Sequence, residues 1–237
     1  NTALMEARGK FVVMLDSDDY LLPAALEILI NRWETENLEN LGKYREIVAQ
    51  CMDEKGNRVG SKFPRGINDI SQREMWGMKD LHAEHISMHR LDLLKEIRYP
   101  EPEGVTFVTD SVAIWKRMHN YKSFYINDLL KVYDTSTADS ISNVQIKNRT
   151  YQHIFNQLWA VKFELEHWNE YDYTNKEKWV KSVRYLLFFY IIKRNHHFSQ
   201  KNWVNEEIDY LSPLTINFIK FPVKILSILI VKLKLIN

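Results

Sequence analysis

The chain has 237 residues, 45% hydrophobic and 27% charged, enough apolar mass to bury a core as one domain or as one domain with a small appendage. Lys and Arg total 32 against 31 Asp and Glu, so no global field draws a polyanion, and a basic nucleic-acid binder is excluded despite the 13% aromatic content. A single cysteine, Cys51, excludes an internal disulfide framework; with no apolar leader ahead of the first charges, it points to a cytoplasmic, reducing compartment.

The chain enters at Asn1 and runs through NTALMEARGK into FVVMLDSDDYLLPAALE. The continuous apolar run Phe11 to Leu15 predicts a strand buried on both faces, as in a parallel sheet, and ligands of such sheets bind beyond the carboxyl ends of their strands. Asp16, Asp18 and Asp19 fall at that end. Three carboxylates so close repel one another unless a cation joins them, and no basic partner stands nearby in sequence. Hard divalent ions such as Mn²⁺ or Mg²⁺ take oxygen ligands and bridge to phosphates. The competing reading is that Asp18 or Asp19 caps the helix expected over Ala24 to Trp33, with Pro23 in its first turn, but a cap uses one Asp, not three.

Further along, Glu84 to His89 and Ser123 to Ile126 read as strands and Ser111 to Met118 as a helix, with Asp110 at its start as a favoured N-cap residue. His82, His85 and His89 would face one way on a helix, as in a zinc site, whereas on a strand only His85 and His89 share a face. After the irregular connector YDTSTADSIS, the chain from Val144 turns helical: Ile154, Phe155, Leu158, Val161 and Leu165 recur at helical spacing, as do the apolar residues from Trp179 to Ile192. His196 and His197 read as a solvated helix end. The tail LTINFIKFPVKILSILIVKLKLIN is apolar but broken by Pro222 and spiked with Lys220, Lys224, Lys232 and Lys234. It is too short and charged for a span of about 20 apolar residues. It suits either a helix lying on a bilayer, with Ile225, Leu226, Leu229 and Ile230 inserted and lysines at anionic headgroups, or a helix packed on its predecessors.

Three chemistries use Asp-x-Asp after an apolar strand. A calcium loop would match Asp16, Asp18 and Glu27, but Leu21 stands where glycine makes the turn and a strand precedes the cluster instead of a helix. An aspartyl phosphatase of the haloacid-dehalogenase type would make Asp16 the nucleophile and Asp18 the acid, but Tyr20 stands where Thr or Val is expected. The third fits far better. Asn1, Ala3, Ala7, Gly9, Leu15, Asp16, Asp18, Asp19, Leu22 and Pro23 fall in register with the middle of a family 2 glycosyltransferase of the GT-A fold, which this stretch resembles.

That resemblance implies an α/β chain: a partial GT-A domain with a Rossmann-like mixed sheet, then a helical C-terminal region. We expect the metal and acceptor side of the GT-A domain over residues 1–142, a helical extension over 143–212, and an apolar, basic C-terminal helix over 213–237 as a candidate membrane-surface segment. The resemblance further implies an inverting, metal-dependent glycosyltransferase of cell-surface polysaccharide synthesis. Asp16, Asp18 and Asp19 would hold Mn²⁺ or Mg²⁺ against the diphosphate of a nucleotide-sugar, and the acceptor would be a glycan or a lipid-linked glycan. HISMHRLDLLKEIRYPEPEGVTFVTDSVAIWKRM follows the family pattern of strand, short helix and then an acidic residue opening another helix. This makes Asp110 the base, with Thr109 where many members carry Glu. The resemblance also places Asn1 at the donor side, Trp76, His85 and His89 along the acceptor pocket, and Tyr133 in the closing segment, where Asp134 replaces the usual Arg. No stretch matches the nucleotide-base half of the family, so the chain reads as N-terminally truncated, with an open edge on the Phe11 to Leu15 strand. Apart from the phosphatase, the reading of another class is an inactive sugar-binding or membrane-associated scaffold.

Overall fold

A computed structural model describes residues 1–64, 78, 83–96, 99–109, 112, 121–134, 150–170, 174–204 and 213–232. Trp76, His82, Asp110, most of the Ser111 to Met118 segment, Ser140, Ser142 and Lys234 lie outside the described residues. The chain divides into two compact units, one of Asn1–Arg98 with Arg117–Thr137 and one of Tyr99–Lys116 with Ala138–Asn237.

The first unit is α/β. Its strands are β1 (Phe11–Val13), β2 (Tyr20–Leu21), β3 (Tyr44–Met52), β4 (His85–Arg90) and β5 (Lys122–Val132), and its helices are α1 (Thr2–Glu6), α2 (Ala25–Thr35), α3 (Leu38–Leu41) and α4 (Leu91–Lys95). The sheet is mixed, in the order β1-β4-β3-β5-β2. Among the described residues only β3 and β5 run parallel; β1 with β4, β4 with β3, and β2 with β5 are antiparallel. Two faces of β3 do different work because side chains alternate along a strand. Ile47, Ala49 and Cys51 face Ile86 and Met88 of β4, Phe124, Ile126 and Leu130 of β5, and the α2 stripe Ala25, Leu29 and Trp33, which recurs every four residues. Trp33 is 2% exposed and its ring stands 4.9 Å from that of Phe11. A fully buried Leu29 or Ile47 contributes about 1.5–3 kcal/mol of transfer free energy, so this stripe anchors α2 to the sheet.

The strand expected over Phe11 to Leu15 is shorter and differently placed than the apolar run suggests. It covers three half-buried residues, lies at the sheet edge and pairs antiparallel to β4, with Met14 and Leu15 already exposed. An edge strand has neighbours on one side only, so a run that looks buried on both faces is half-covered here. The helix after it starts at Ala25 with Ala24 as N-cap and no side-chain cap bond, so neither Asp18 nor Asp19 caps it: β2 intervenes.

The second unit is helical where described: α5 (Tyr151–Glu166), α6 (Asn175–Ile192), α7 (His196–Ser199) and α8 (Pro213–Lys232). Capping boxes built on Thr150 with His153 and on Thr174 with Glu177 open α5 and α6, satisfying N–H groups that a helix start leaves without partners. Ile154, Phe155, Leu158, Val161 and Leu165 are all buried, packed with Tyr185, Leu186, Phe189 and Ile192 of α6, as their spacing predicts. The short α7 is capped by Asn195, whose Oδ1 accepts from His197 and Phe198 N–H. The last helix joins this core through buried Val223 and Ser227, and Pro222 lies inside it.

Candidate functional site

The acidic stretch sits between β1 and β2. The Asp19 N–H donates to the Asp16 carbonyl at 3.2 Å, which closes a turn and leaves Asp16, Ser17 and Asp18 exposed while Asp19 is buried. Pairing of β2 with β5 then decides where Asp19 points. Tyr20 lies opposite Val132 and Leu21 opposite Lys131, and the Leu22 N–H donates to the Leu130 carbonyl at 3.0 Å. Asp19 therefore meets the end of β5. Its Oδ2 accepts from Lys131 Nζ at 2.6 Å and its Oδ1 from the Asp134 backbone N–H at 3.1 Å. The same ammonium donates to Glu84 Oε1 at 3.0 Å, from a side chain only 3% exposed.

Sequence reasoning found no basic partner for these aspartates because Lys131 lies 112 residues from Asp19. Burial works against the lysine's charge, yet the hydrogen bonds it donates to Asp19 and Glu84 raise its pKa above the ordinary value and keep it an ammonium. Asp134, which stands where an arginine was expected, contributes its backbone N–H to Asp19. Glu84, the residue before β4, was not singled out by its local sequence either.

One carboxylate oxygen each of Asp16, Asp19 and Glu84 lies within 4.8 Å of the other two. Oxygen donors at this spacing suit hard divalent cations, and the set fits such an ion in type, being all carboxylate. It is already partly neutralised by Lys131. Among the described residues no histidine belongs to such a cluster.

The other predicted residues lie elsewhere in this unit. His85 and His89 share a face of β4, opposite Gln50 and Glu46 respectively. Burial, and then the charge of Lys131, push the His85 imidazole down to about 4, so it is neutral at pH 7; its ring lies 5.1 Å from Phe63. Its Nε2 and the Gln50 Oε1 are buried with no hydrogen-bond partner among the described residues. His89 Nδ1 meets Glu46 Oε2 at 2.7 Å, and Glu46 Oε1 accepts from Arg45 at 2.6 Å and from the Ser123 hydroxyl at 2.5 Å. Burial would raise the Glu46 pKa, but Arg45, His89 and the hydroxyl outweigh it and hold the carboxyl well below the usual range. His89 is therefore tied into a buried polar network. Asn1 is the N-cap of α1, and its carbonyl accepts from the Met5 N–H. A cleft of about 450 Å³ lined by Arg8, Lys10, Trp33, Arg90 and Lys95 shares no residue with the acidic cluster. Two of its cations are already paired, Lys10 with Glu39 and Arg90 with Asp92.

Comparison with known proteins supplies the last finding about this loop. Residues 1–89 match the family described as glycosyl transferase family 2. A protein of Campylobacter jejuni subsp. jejuni serotype O:2, named GalNAc(5)-diNAcBac-PP-undecaprenol beta-1,3-glucosyltransferase, is 29% identical over 152 residues. That alignment covers 62% of this chain and 45% of the relative, so the chain spans less than half of the relative's length.

Proposed function

Since residues 1–89 of this chain belong to glycosyl transferase family 2, we propose that the protein is an inverting, metal-dependent glycosyltransferase. It would move a sugar from a nucleotide-sugar to a hydroxyl of a lipid-linked glycan in cell-surface polysaccharide synthesis. The observation that carries this is the exposed carboxylate turn Asp16 to Asp18 after β1, closed by the bond from the buried Asp19 N–H to the Asp16 carbonyl, inside the segment that matches the family. The family match also weighs against the aspartyl phosphatase. The lipid-linked acceptor is taken from the Campylobacter relative, whose name specifies an undecaprenol diphosphate substrate.

Asp16, Asp18 and Asp19 are the residues that would hold Mn²⁺ or Mg²⁺, the first two as ligands on the exposed turn and Asp19 by supporting that turn from the buried side. A cation bound there supplies positive charge against the diphosphate that leaves when the glycosidic bond to phosphate breaks. Asp110 is the proposed base. It takes the proton of the acceptor hydroxyl as that oxygen bonds to the anomeric carbon on the face opposite the departing phosphate, so configuration inverts. His85, His89 and Trp76 remain proposed acceptor-side residues, with Asn1 at the donor side. Asp110→Asn is expected to leave donor binding by calorimetry unchanged while transfer falls by about 10²–10⁴-fold; equal loss of binding and transfer would remove Asp110 from the role of base.

The last helix supports peripheral membrane contact at the inner face of the membrane. It buries Val223 and Ser227 against its own unit and exposes Phe221 (71%), Ile225, Leu226 and Leu229, with Lys224 among them. An apolar stripe flanked by lysine suits insertion at an anionic bilayer surface. No described helix is long and apolar enough to cross a membrane. Because this helix also covers core, substitution tests it more cleanly than deletion. Phe221→Asp with Leu229→Asp should cut co-sedimentation with phosphatidylglycerol vesicles at least about threefold and leave the melting temperature unchanged. Unchanged partitioning would end the membrane assignment.

A further inference from the structure

Lys131 makes contacts that the reaction as derived above leaves unexplained. Its side chain is 3% exposed and reaches two carboxylates of the acidic cluster at once, Asp19 at 2.6 Å and Glu84 at 3.0 Å. The side chain of Asp19 is 1% exposed and that of Glu84 40%. Lys131 is carried by sheet, not loop: it lies opposite Cys51 of β3 and Leu21 of β2. Its ammonium is therefore held in place before any ligand arrives, which is what a precise site needs from its support.

We propose that Lys131 is the resident counter-ion of the acidic cluster and a positioning residue for the donor site: it takes up Asp19 and Glu84 and leaves the divalent cation to Asp16 and Asp18. This rests on reading the cluster as the metal end of a nucleotide-sugar site. The charge count gives the reason. Three carboxylates with oxygens within 4.8 Å would strain the turn whenever no metal is present, because like charges in a half-buried place repel strongly. A lysine ammonium is a compact charge with three donors, able to satisfy two carboxylates together, but it offers no electron pair and so cannot itself be a metal ligand. Both oxygens of Asp19 are engaged, one by Lys131 and one by the Asp134 N–H. Asp19 then acts by fixing the turn whose exposed members are Asp16 and Asp18. Glu84 belongs to the lysine and not to the metal.

The test is a titration with Mn²⁺ alone, followed by electron paramagnetic resonance, joined to thermal unfolding with and without the ion. Glu84→Gln should leave the Mn²⁺ dissociation constant within about twofold, since a half-exposed partner of Lys131 is removed and no ligand is lost. Asp16→Asn should weaken it by at least about tenfold. Lys131→Met leaves Asp19 buried without its counter-charge, so without metal its melting temperature should fall by roughly 10 °C. Millimolar Mn²⁺ should leave most of that loss in place, since the ion sits on Asp16 and Asp18 and does not replace the ammonium at Asp19. If Lys131→Met does not fold, Lys131→Arg and Glu84→Gln carry the test, and both should bind Mn²⁺ as the parent does. Two results would overturn the proposal: Glu84→Gln weakening Mn²⁺ as far as Asp16→Asn, or Mn²⁺ restoring the melting temperature of Lys131→Met, which would put the ion in the ammonium's place. If instead Asp16→Asn leaves Mn²⁺ binding untouched, it is the metal reading itself that fails.

Discussion

Asp18→Asn is expected to abolish Mn²⁺-dependent binding of the donor and to lower kcat/KM for sugar transfer by about 10³-fold, roughly 4 kcal/mol of transition-state stabilisation. The side chain is exposed at the turn that follows β1, so the substitution disturbs the site and not the core. The melting temperature should stay where it was. Comparison with Asp16→Asn separates chemistries: in a glycosyltransferase both variants lose the same metal-dependent step, whereas an aspartyl phosphatase would fail most completely at Asp16, its nucleophile. Initial rates against Mn²⁺ concentration, measured for the two variants side by side, decide this.

The largest effect on stability is expected at Glu46. Its side chain is 5% exposed beside Arg45 at 6%, and it also bonds His89 and Ser123. Replacing it by glutamine removes the carboxylate that pairs with the buried Arg45 guanidinium, a loss of about 3–5 kcal/mol. For a chain of this size, that is a fall in melting temperature of roughly 10 °C. A pH dependence accompanies it. The folded carboxyl titrates well below its ordinary 4.5, so its contribution is complete above that pH and is lost as the pH falls below it. Glu46→Gln should lack this part of the acid limb, and its deficit should shrink as acid removes the parent's advantage. A variant that melts within a degree or two of the parent at pH 7 would show that the pair contributes nothing net.

Much of the helical half was legible because periodicity is local: Ile154 to Leu165 and, in α6, Tyr185 to Ile192 bury as spacing predicts, whereas Trp179 and Val180 at the start of the expected stripe are exposed. The acidic turn was legible for a related reason, since it follows an apolar run directly. What sequence reading missed is non-local. The central strand β3, YREIVAQCM, carries Arg45, Glu46 and Gln50 among its apolar residues and does not announce a buried strand. Arg45 and Glu46 are tolerated because partners arrive from β4 and β5, with Ser123 lying 77 residues from Glu46, and the Gln50 amide donates to the Ser61 carbonyl. Lys131 is hidden in the same way: in LLKVYD it reads as an ordinary surface lysine until β2 pairs with β5 and brings Asp19 against it. Long-range pairing also explains β1. Its apolar run suggests full burial, but exposure is set by which strands lie beside it, and among the described residues only β4 does.

The metal end of the site can be tested without knowing the sugar, the nucleotide or the acceptor. Mn²⁺ binding followed by electron paramagnetic resonance, with inorganic pyrophosphate added as a bare diphosphate, reads the Asp16 to Asp19 turn directly. The account predicts a single Mn²⁺ whose binding tightens by at least about tenfold with pyrophosphate present, and loss of that coupling in Asp18→Asn. Mn²⁺ binding that is indifferent to pyrophosphate, or coupling that survives Asp18→Asn, would contradict it.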